Sequence, residues 1–272
     1  MPSLYVVATP IGNLEDMTLR ALRVLKEVRL IAAEDTRTTR KLLSRYDIHT
    51  RLTSFHDHNK MQKLPLILKT LEEGDVALVS EAGTPVVSDP GLELVRAAVA
   101  IGVQVASIPG PSAVTASLAA SGMVGDRFLF LGFLPRKRGE RQAILRSASQ
   151  LPYTIVLFEA PHRLQATLAD LRDALGNRPV AAVREATKLH EEVFRGTLSQ
   201  APEHFDQPRG EFTLVIEGVA VAGRALPKDT EKMLRELLEH GLSPREAREQ
   251  VASETGMPRR EVYRLWLAVK GG

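Results

Sequence analysis

Four short segments in the first half of the chain combine glycine and proline in a way that suits the binding of a small ligand. They are Thr9-Pro10-Ile11-Gly12-Asn13, Ala82-Gly83-Thr84-Pro85, Ser88-Asp89-Pro90-Gly91 and Pro109-Gly110-Pro111-Ser112. Glycine and proline make rigid loops whose backbone groups face a ligand with no side chain between them. Ordinary turn chemistry explains any single loop, but the first, second and fourth each follow an apolar run. Three such loops predict a binding site.

The spacing of the first loop restricts the ligand. Residues 9–13 contain Gly12 and lack the Gly-x-Gly-x-x-Gly spacing that brings backbone against a pyrophosphate. We therefore expect a nucleoside-like cofactor without phosphates. Ser112 is placed to cap a helix that begins at Ala113, and the N-terminus of such a helix can receive a carboxylate.

The composition excludes several other chemistries. The 272 residues contain no cysteine, which rules out disulfides, thiolate nucleophiles and cysteine-ligated metals. His56-Asp57-His58 is the nearest approach to a metal-ligand pattern, and without a third ligand we predict no metal site. No apolar run reaches the roughly 20 residues of a membrane span, and the N-terminus does not resemble a secretory signal. We expect a cytoplasmic protein without membrane contact.

Strands and helices alternate through the first half of the chain. Apolar runs predict strands at Leu4–Ala8, Leu30–Ala33, Val76–Val79 and Val103–Ile108. Helical periodicity fills the intervals at Leu19–Val28, Thr38–Arg45, Met61–Leu71, Leu92–Ile101 and Ala113–Ala120. This alternation predicts a mainly parallel sheet that is buried on both faces. The glycine- and proline-rich loops then fall at the carboxyl ends of the strands, where ligands bind.

A second α/β domain is predicted after the two glycines of Ser121–Asp126. Its strands are expected at Phe128–Phe133, Thr154–Phe158, Val180–Val183, Glu192–Arg195 and Phe212–Glu217. Its helices are expected at Glu140–Ser149 and His162–Leu175. Because several strands follow each other closely, we predict more antiparallel pairing here. The predicted domains are 1–122 and 123–222.

The end of the chain predicts a small helical domain at 228–272. Ser243-Pro244-Arg245-Glu246 combines three signals of a helix start. Gly256 separates this helix from the next, an arrangement similar to a helix-turn-helix. Arg259 and Arg260 lie on the last helix and could contact RNA. A purely structural three-helix cap is the alternative.

Basic residues are clustered although the formal net charge is only +3. Such clusters can follow a phosphate backbone even in a nearly neutral chain. Solvated helix faces are the alternative interpretation. The candidate RNA-binding residues in the two clusters are Arg37, Arg40, Lys41, Arg136, Lys137, Arg138 and Arg141.

A series of motifs runs in order from residue 3 to about residue 220. The motifs are Thr9–Asp16, Glu34–Arg37, Ser80–Gly91, Ile108–Ala113, Gly132–Pro135, Phe158–Arg163 and Arg184–Lys188. Together they resemble the tetrapyrrole methylase superfamily, and within it the branch of bacterial small-subunit rRNA (cytidine-2′-O)-methyltransferases. The helical tail fits this branch. One departure is Glu81, which stands where the Ser-Asp-Ala-Gly-Thr-Pro motif has Asp.

The resemblance implies that S-adenosylmethionine (SAM) binds in a cleft between two α/β domains, in a homodimer. A cofactor without phosphates agrees with the spacing of the first loop. The cofactor-binding residues that it implies are Pro10, Thr84, Pro85, Val86, Val87, Pro109, Gly110, Pro111, Ser112, Ala113, Phe158, Glu159 and Ala186.

The implied acceptor is the ribose of a cytidine in the decoding region of 16S rRNA, presented by the small ribosomal subunit. Because a hydroxyl is a poor nucleophile, a general base or a cation that lowers its pKa would help. The candidates within the motifs are Glu34, Asp35, Glu81, Glu159, Glu185 and Lys188. Lys188 would stabilise an alkoxide, or accept the proton if desolvated, with Glu185 beside it. A structural or phosphate-binding role for this pair is the alternative.

A second substrate class remains open within the same superfamily. The chain could methylate a tetrapyrrole or corrin precursor at carbon. Enzymes of that kind usually carry a glycine-rich first loop, whereas this loop has Gly12 alone. The basic clusters and the helical tail would also lack a purpose in that reaction.

Overall fold

The computed structural model describes residues 2–219, 227–255, 257 and 259–271. The chain divides into two compact units, Met1–Ser149 with Tyr153–Glu217, and Gln150–Pro152 with Gly218–Gly272. The predicted turn at Gly256 lies outside the described residues. No helix within the described part of the chain is long and apolar enough to cross a membrane.

The first sheet carries helices on both faces. Its strands are β1 (Ser3–Val7), β2 (Leu30–Ala33), β3 (Leu52–Ser54), β4 (Val76–Val79) and β5 (Gln104–Ile108). Its helices are α1 (Leu19–Glu27), α2 (Thr36–Arg45), α3 (Lys60–Glu73) and α4 (Leu92–Ala100). All pairs are parallel, in the order β3-β2-β4-β1-β5. Leu25 of α1 and Leu42 of α2 are buried on one face, whereas Ile67 of α3 and Leu94 of α4 are buried on the other.

The sheet confirms the predicted parallel α/β layer and differs from the prediction at both edges. Strand β3 was not predicted, because three residues are too few to make an apolar run. Strand β5 was predicted to be buried, but Gln104 and Ser107 are exposed because β5 pairs only with β1.

The second sheet is mixed. Its strands are β6 (Phe128–Phe133), β7 (Thr154–Glu159), β8 (Pro179–Arg184), β9 (Glu192–Thr197) and β10 (Phe212–Ile216). Only β6 and β7 are parallel, and the order is β6-β7-β10-β8-β9. The predicted antiparallel character is therefore confirmed. Three helices accompany this sheet, which are α5 (Ala113–Ser121), α6 (Arg138–Ala148) and α7 (Leu164–Leu175). A four-residue helix, α8 (Ala201–His204), precedes β10 and was not predicted.

Helix α5 packs with the second sheet, although the predicted boundary at residue 122 places it with the first. Val114 and Leu118 of α5 are buried in one cluster with Val156, Ala181 and Val215 of the sheet. The chain therefore crosses from one layer to the other at the loop before α5. That crossing brings the N-terminus of α5 to the place where the two sheets meet.

The second unit contains three helices, α9 (Pro227–Glu239), α10 (Pro244–Thr255) and α11 (Arg259–Gly271). Leu234, Val251 and Val262 are fully buried between them. The predicted start of α10 is confirmed as a capping box, because the Ser243 amide donates to the Glu246 carboxylate at 3.0 Å and the Glu246 amide donates to Ser243 Oγ at 3.3 Å.

Candidate functional site

A cleft of about 580 Å³ lies between the carboxyl-end loops of the first sheet and the second sheet. This volume is within the range of about 300–1,000 Å³ that is typical of small-molecule sites. The first wall of the cleft consists of the loops after β1, β2 and β4 and the start of α5. The second wall consists of the ends of β6, β7 and β8 and the start of β10. The predicted cofactor residues that line the cleft are Pro10, Thr84, Val87, Ser112, Ala113, Phe158, Glu159 and Ala186.

The three predicted loops are bonded to one another. The Thr9 amide donates to the Gly83 carbonyl at 2.9 Å, and the Gly83 amide donates to the Thr9 carbonyl at 3.0 Å. Thr84 Oγ1 lies 3.5 Å from the Pro111 carbonyl oxygen, at the limit of a hydrogen bond. These contacts join the loops after β1, β4 and β5 to one another.

Gly110 does not line the cleft, although it was predicted to contact the cofactor. A Cβ atom there would stand 3.1 Å from Ala8 Cβ, so glycine lets this loop approach β1. The other predicted cofactor residues that are absent from the lining are Pro85, Val86, Pro109 and Pro111.

Two loops that border the cleft, one after β4 and one after β8, hold non-glycine residues in left-handed conformations. Val86 and Ser88 have φ of 74° and 64°, and Glu185 and Thr187 have φ of 52° and 65°. Such conformations cost of order 1–3 kcal/mol each and persist where the surrounding structure imposes them, often at functional sites. Both loops border the cleft, one on each wall.

Lys188 lies on the second wall, where two carboxylates fix the position of its ammonium group. Its Nζ donates to Glu185 Oε1 and to Glu211 Oε2, each at 2.9 Å. Burial alone would lower the pKa of Lys188, but the two carboxylates outweigh it and raise the pKa. The hydrogen bond from Lys188 lowers the pKa of Glu185. Lys188 thus remains protonated, which favours the predicted alkoxide-stabilising role over that of a base.

Gly12 explains how the first loop meets Lys188. A Cβ atom on Gly12 would stand 2.5 Å from Lys188 Cγ and 2.8 Å from the Ala186 carbonyl oxygen. Next to it, the Asn13 amide donates to Thr187 Oγ1 at 3.1 Å. The glycine therefore allows a loop of the first sheet to close onto the loop that carries Lys188.

Glu159 lines the cleft, but its carboxylate is fully buried and already bonded. Oε1 accepts from the Ala160 amide at 2.8 Å and lies 3.3 Å from Arg163 Nε, and Oε2 accepts from Thr167 Oγ1 at 2.5 Å. The side chain of Glu159 therefore stabilises the turn after β7. It is not placed to act as a base.

Three further acids line the first wall. The Glu81 amide donates to Glu34 Oε2 at 3.1 Å. Burial raises the pKa of Glu81, reinforced by the charges of Asp35 and Glu34. Burial also raises the pKa of Asp89 to about 6, with a smaller contribution from Glu34. Sequence reasoning placed Asp89 in a turn and missed it as a titrating group, because desolvation depends on residues that are distant in sequence.

Asp35 has a structural task. Its carboxylate accepts from the Arg37 amide at 2.7 Å and the Thr38 amide at 3.4 Å, which caps α2. The hydrogen bonds from Arg37 lower the pKa of Asp35. The carboxylate of Asp35 is therefore committed to the helix cap and is not placed to act as the base.

The predicted RNA-binding cations fall into different environments. Arg37, Arg40 and Lys41 are exposed on α2, which begins at the cleft edge, and Arg136 and Lys137 are exposed before α6. Arg138 Nε bonds Asp170 Oδ1 at 3.0 Å although most of its side chain is exposed. Arg259 is exposed on α11, and the side chain of Arg260 lies outside the described residues.

The prediction that Arg141 binds RNA is wrong, because Arg141 is only 7% exposed. Its Nε donates to Asp170 Oδ2 at 2.7 Å, so its charge is already neutralised by a buried carboxylate. Arg141 cannot reach a phosphate from this position. Within the described residues, no cluster of three or more His, Cys, Asp or Glu suitable for a metal ion is present.

Comparison with known proteins agrees with this architecture. The profile of Tetrapyrrole (Corrin/Porphyrin) Methylases matches residues 3–202, and that of the RsmI C-terminal HTH domain matches residues 224–270. The chain is 48% identical to the ribosomal RNA small subunit methyltransferase I of Synechocystis, over 99% of both chains. It is 44% identical to the protein of the same name from Bacillus subtilis, over 97% of this chain and 93% of that one.

A solved structure shares the fold at lower identity. Uroporphyrin-III C-methyltransferase from Thermus thermophilus, complexed with S-adenosylhomocysteine, superposes with a TM-score of 0.59. The identity is 21%, over 79% of this chain and 97% of that one, which shows the fold alone. With the two matched profiles and the full-length relatives, the chain belongs to the tetrapyrrole methylase family, and within it to the ribosomal RNA small subunit methyltransferases I.

Proposed function

We propose that this protein transfers the methyl group of SAM to the ribose 2′-hydroxyl of a cytidine in the decoding region of 16S rRNA. The observation that carries the proposal is the 48% identity with a named rRNA methyltransferase over 99% of both chains. The cleft also supports the proposal, because Lys188, whose ammonium group is hydrogen-bonded to Glu185, lies across it from loops suited to a cofactor without phosphates. A cytoplasmic location and a homodimer remain predictions.

The cofactor would occupy the cleft against the first wall. Ser112 is the N-cap residue of α5, and Ala113 is its first residue. The side chain of Ser112 makes no capping hydrogen bond, contrary to the prediction, so the N-terminal amides of α5 would favour the carboxylate of the methionyl part. Glu34, Glu81 and Asp89 supply negative charge on the same wall, which suits a sulfonium cation. Pro85, Val86, Pro109, Gly110 and Pro111 would act indirectly, by fixing the shape of the loops.

The reaction is a direct displacement at the methyl carbon, so the chain must hold oxygen, carbon and sulfur in line. Lys188 would stabilise the negative charge that develops on the ribose oxygen. Asp89 is our candidate for the proton acceptor, because it lines the cleft with a pKa of about 6. Glu185 and Glu211 would position Lys188 and keep it charged.

The test supplies labelled SAM with undermethylated small subunits, free 16S rRNA and a tetrapyrrole precursor in separate reactions. We expect label on the subunit, recovered as 2′-O-methylcytidine in a nucleoside digest. Lys188→Met should lose most of the turnover and keep SAM binding. Label on the precursor alone, or on a base instead of a ribose, would refute the proposal.

A further inference from the structure

The segment that follows β6 joins an aromatic side chain in the cleft to two exposed cations. Phe133 lines the cleft and is 55% exposed, although it is a large apolar residue. Arg136 and Lys137 follow within four positions and are exposed. The aromatic rings of Phe158 and Phe212 also line the cleft but are more deeply buried.

A local irregularity turns Phe133 toward the cleft. Phe130 pairs with Val156 and Phe133 with Phe158, so β6 uses one more residue than β7 over this interval. Such bulges redirect side chains and are common beside active sites. Gly132 has φ of 59°, and a Cβ atom there would stand 2.4 Å from Ser88 Oγ in the strained loop of the first wall.

The ring of Phe133 is supported from one side. Its centroid lies 5.5 Å from that of Phe158, at an interplanar angle of 56°. Phe158 in turn meets Phe130 at 5.1 Å. Phe133 therefore packs against one ring, that of Phe158, while more than half of its surface faces solvent.

The backbone that carries the cations is held by two guanidinium groups. Arg163 Nη2 donates to the Leu134 carbonyl at 2.6 Å and to the Pro135 carbonyl at 3.3 Å. Arg141 Nη1 donates to the Pro135 and Arg136 carbonyls, both at 3.1 Å. Three successive carbonyls are thus bonded from the protein side.

Each guanidinium is neutralised by a buried carboxylate. Arg141 pairs with Asp170, and Arg163 pairs with Glu159. A hydrogen-bonded network of this kind holds its neighbours in one arrangement. The two arginines therefore fix the loop and leave the side chains of Arg136 and Lys137 exposed at the surface. Among the described residues, Lys137 makes one surface ion pair, with Glu140 at 3.3 Å, and pairs of this kind are weak.

We propose that residues 133–137 are the platform for the acceptor nucleotide: Phe133 stacks on its base, and Arg136 and Lys137 bind the neighbouring phosphates. Unstacked RNA bases are commonly held on aromatic side chains, and phosphates by exposed cations. Arg141 and Arg163 are positioning residues that keep the platform in shape. This inference rests on the proposed rRNA substrate.

The first test replaces the aromatic ring. Phe133→Ala is compared with Phe128→Ala, which removes a 40% exposed phenylalanine of the same strand that does not line the cleft. Loss of a base–aromatic stack weakens binding roughly 5- to 150-fold. We expect the KM for undermethylated subunits to rise by about that factor in Phe133→Ala. The Kd for SAM, measured by calorimetry, should be unchanged, and Phe133→Trp should restore most of the KM.

The second test removes the cations. Arg136→Ala/Lys137→Ala is compared with Lys69→Ala/Arg172→Ala, which removes two exposed cations elsewhere. The plot of log affinity against log salt has a negative slope, and each lost phosphate contact on a single strand reduces the magnitude of that slope by about 0.7. We expect the magnitude of the slope for rRNA binding to fall by about 1.4 in the first double variant and to stay the same in the second.

The third test separates positioning from simple stability. Arg141→Lys is made alone and in the Arg136→Ala/Lys137→Ala background. If Arg141 acts through the loop, the change raises the KM for subunits several-fold alone and adds little once the cations are gone. Arg163→Lys serves the same purpose if the Arg141 variant does not fold cooperatively.

The outcomes separate this inference from the proposed function. A wild-type protein that methylates no rRNA overturns both. A wild-type protein that is active while Phe133→Ala behaves like Phe128→Ala overturns only the platform. A loss of SAM affinity in Phe133→Ala would assign the ring to the cofactor and also overturn the platform, as would an unchanged salt slope.

Discussion

Asp89→Asn should stabilise the folded protein while it removes activity. Burial raises the pKa of Asp89 to about 6 from 3.8, so the native state resists the loss of that proton. The unfolded carboxyl ionises first as pH rises, and the wild-type protein loses stability between about pH 4 and pH 6. The amide carries no charge and avoids this loss.

The magnitude follows from the two pKa values. The free energy of unfolding of Asp89→Asn should exceed that of the wild type by at most about 3 kcal/mol at about pH 8. The difference should shrink to about 1.6 kcal/mol at about pH 5 and to about 0.6 at about pH 4. Solvent screening at the partly exposed carboxyl reduces these values. The neighbouring charges of Glu34 and Glu81 act in the same direction as burial.

Urea unfolding followed by circular dichroism at these pH values measures the difference, with Asp126→Asn as an exposed control. In parallel, kcat on small subunits should fall about 10²- to 10⁴-fold if Asp89 accepts the proton. A variant that is less stable than the wild type at the higher pH would refute the reasoning about burial. A stabilised variant with unchanged kcat would keep that reasoning and remove Asp89 from the reaction.

Three further changes test the contacts that shape the cleft and the helical unit. Gly12→Ala should displace Lys188 and lower kcat at least tenfold, and equal activity would contradict the close approach of the two loops. Gly110→Val should abolish SAM binding in calorimetry while unfolding stays cooperative, because the new side chain pushes against Ala8; unchanged affinity would contradict it. Ser243→Ala should cost the helical unit about 1 kcal/mol, seen as a lower urea midpoint, whereas Ser243→Thr should retain the cap because its hydroxyl can still donate to Glu246.

The parallel layer could be predicted because its signals are local. The runs that become β2 and β4 are apolar at every position, and each is bounded by polar or glycine residues. The capping box at Ser243 was readable for the same reason, since both partners lie within one turn. Loop positions after parallel strands then followed from topology alone.

The failures concern contacts between residues far apart in sequence. Arg141 belongs to a basic cluster by sequence, but its partner Asp170 lies on α7 and withdraws it from the surface. The role of Gly12 depends on Lys188, on the opposite wall. No local pattern encodes either pairing, and the bulge that exposes Phe133 depends on the register of β6 against β7.

The distribution of charge around the cleft follows the charges of the proposed reactants. The acids Glu34, Glu81 and Asp89 lie inside the cleft, where a sulfonium would bind. The exposed cations Arg136 and Lys137 lie outside it, where phosphates of a large RNA would pass. Methyl transfer converts the sulfonium into a neutral thioether, so the acidic wall loses its attraction for the cofactor after the reaction. The same wall that favours binding of SAM would therefore favour release of the spent cofactor.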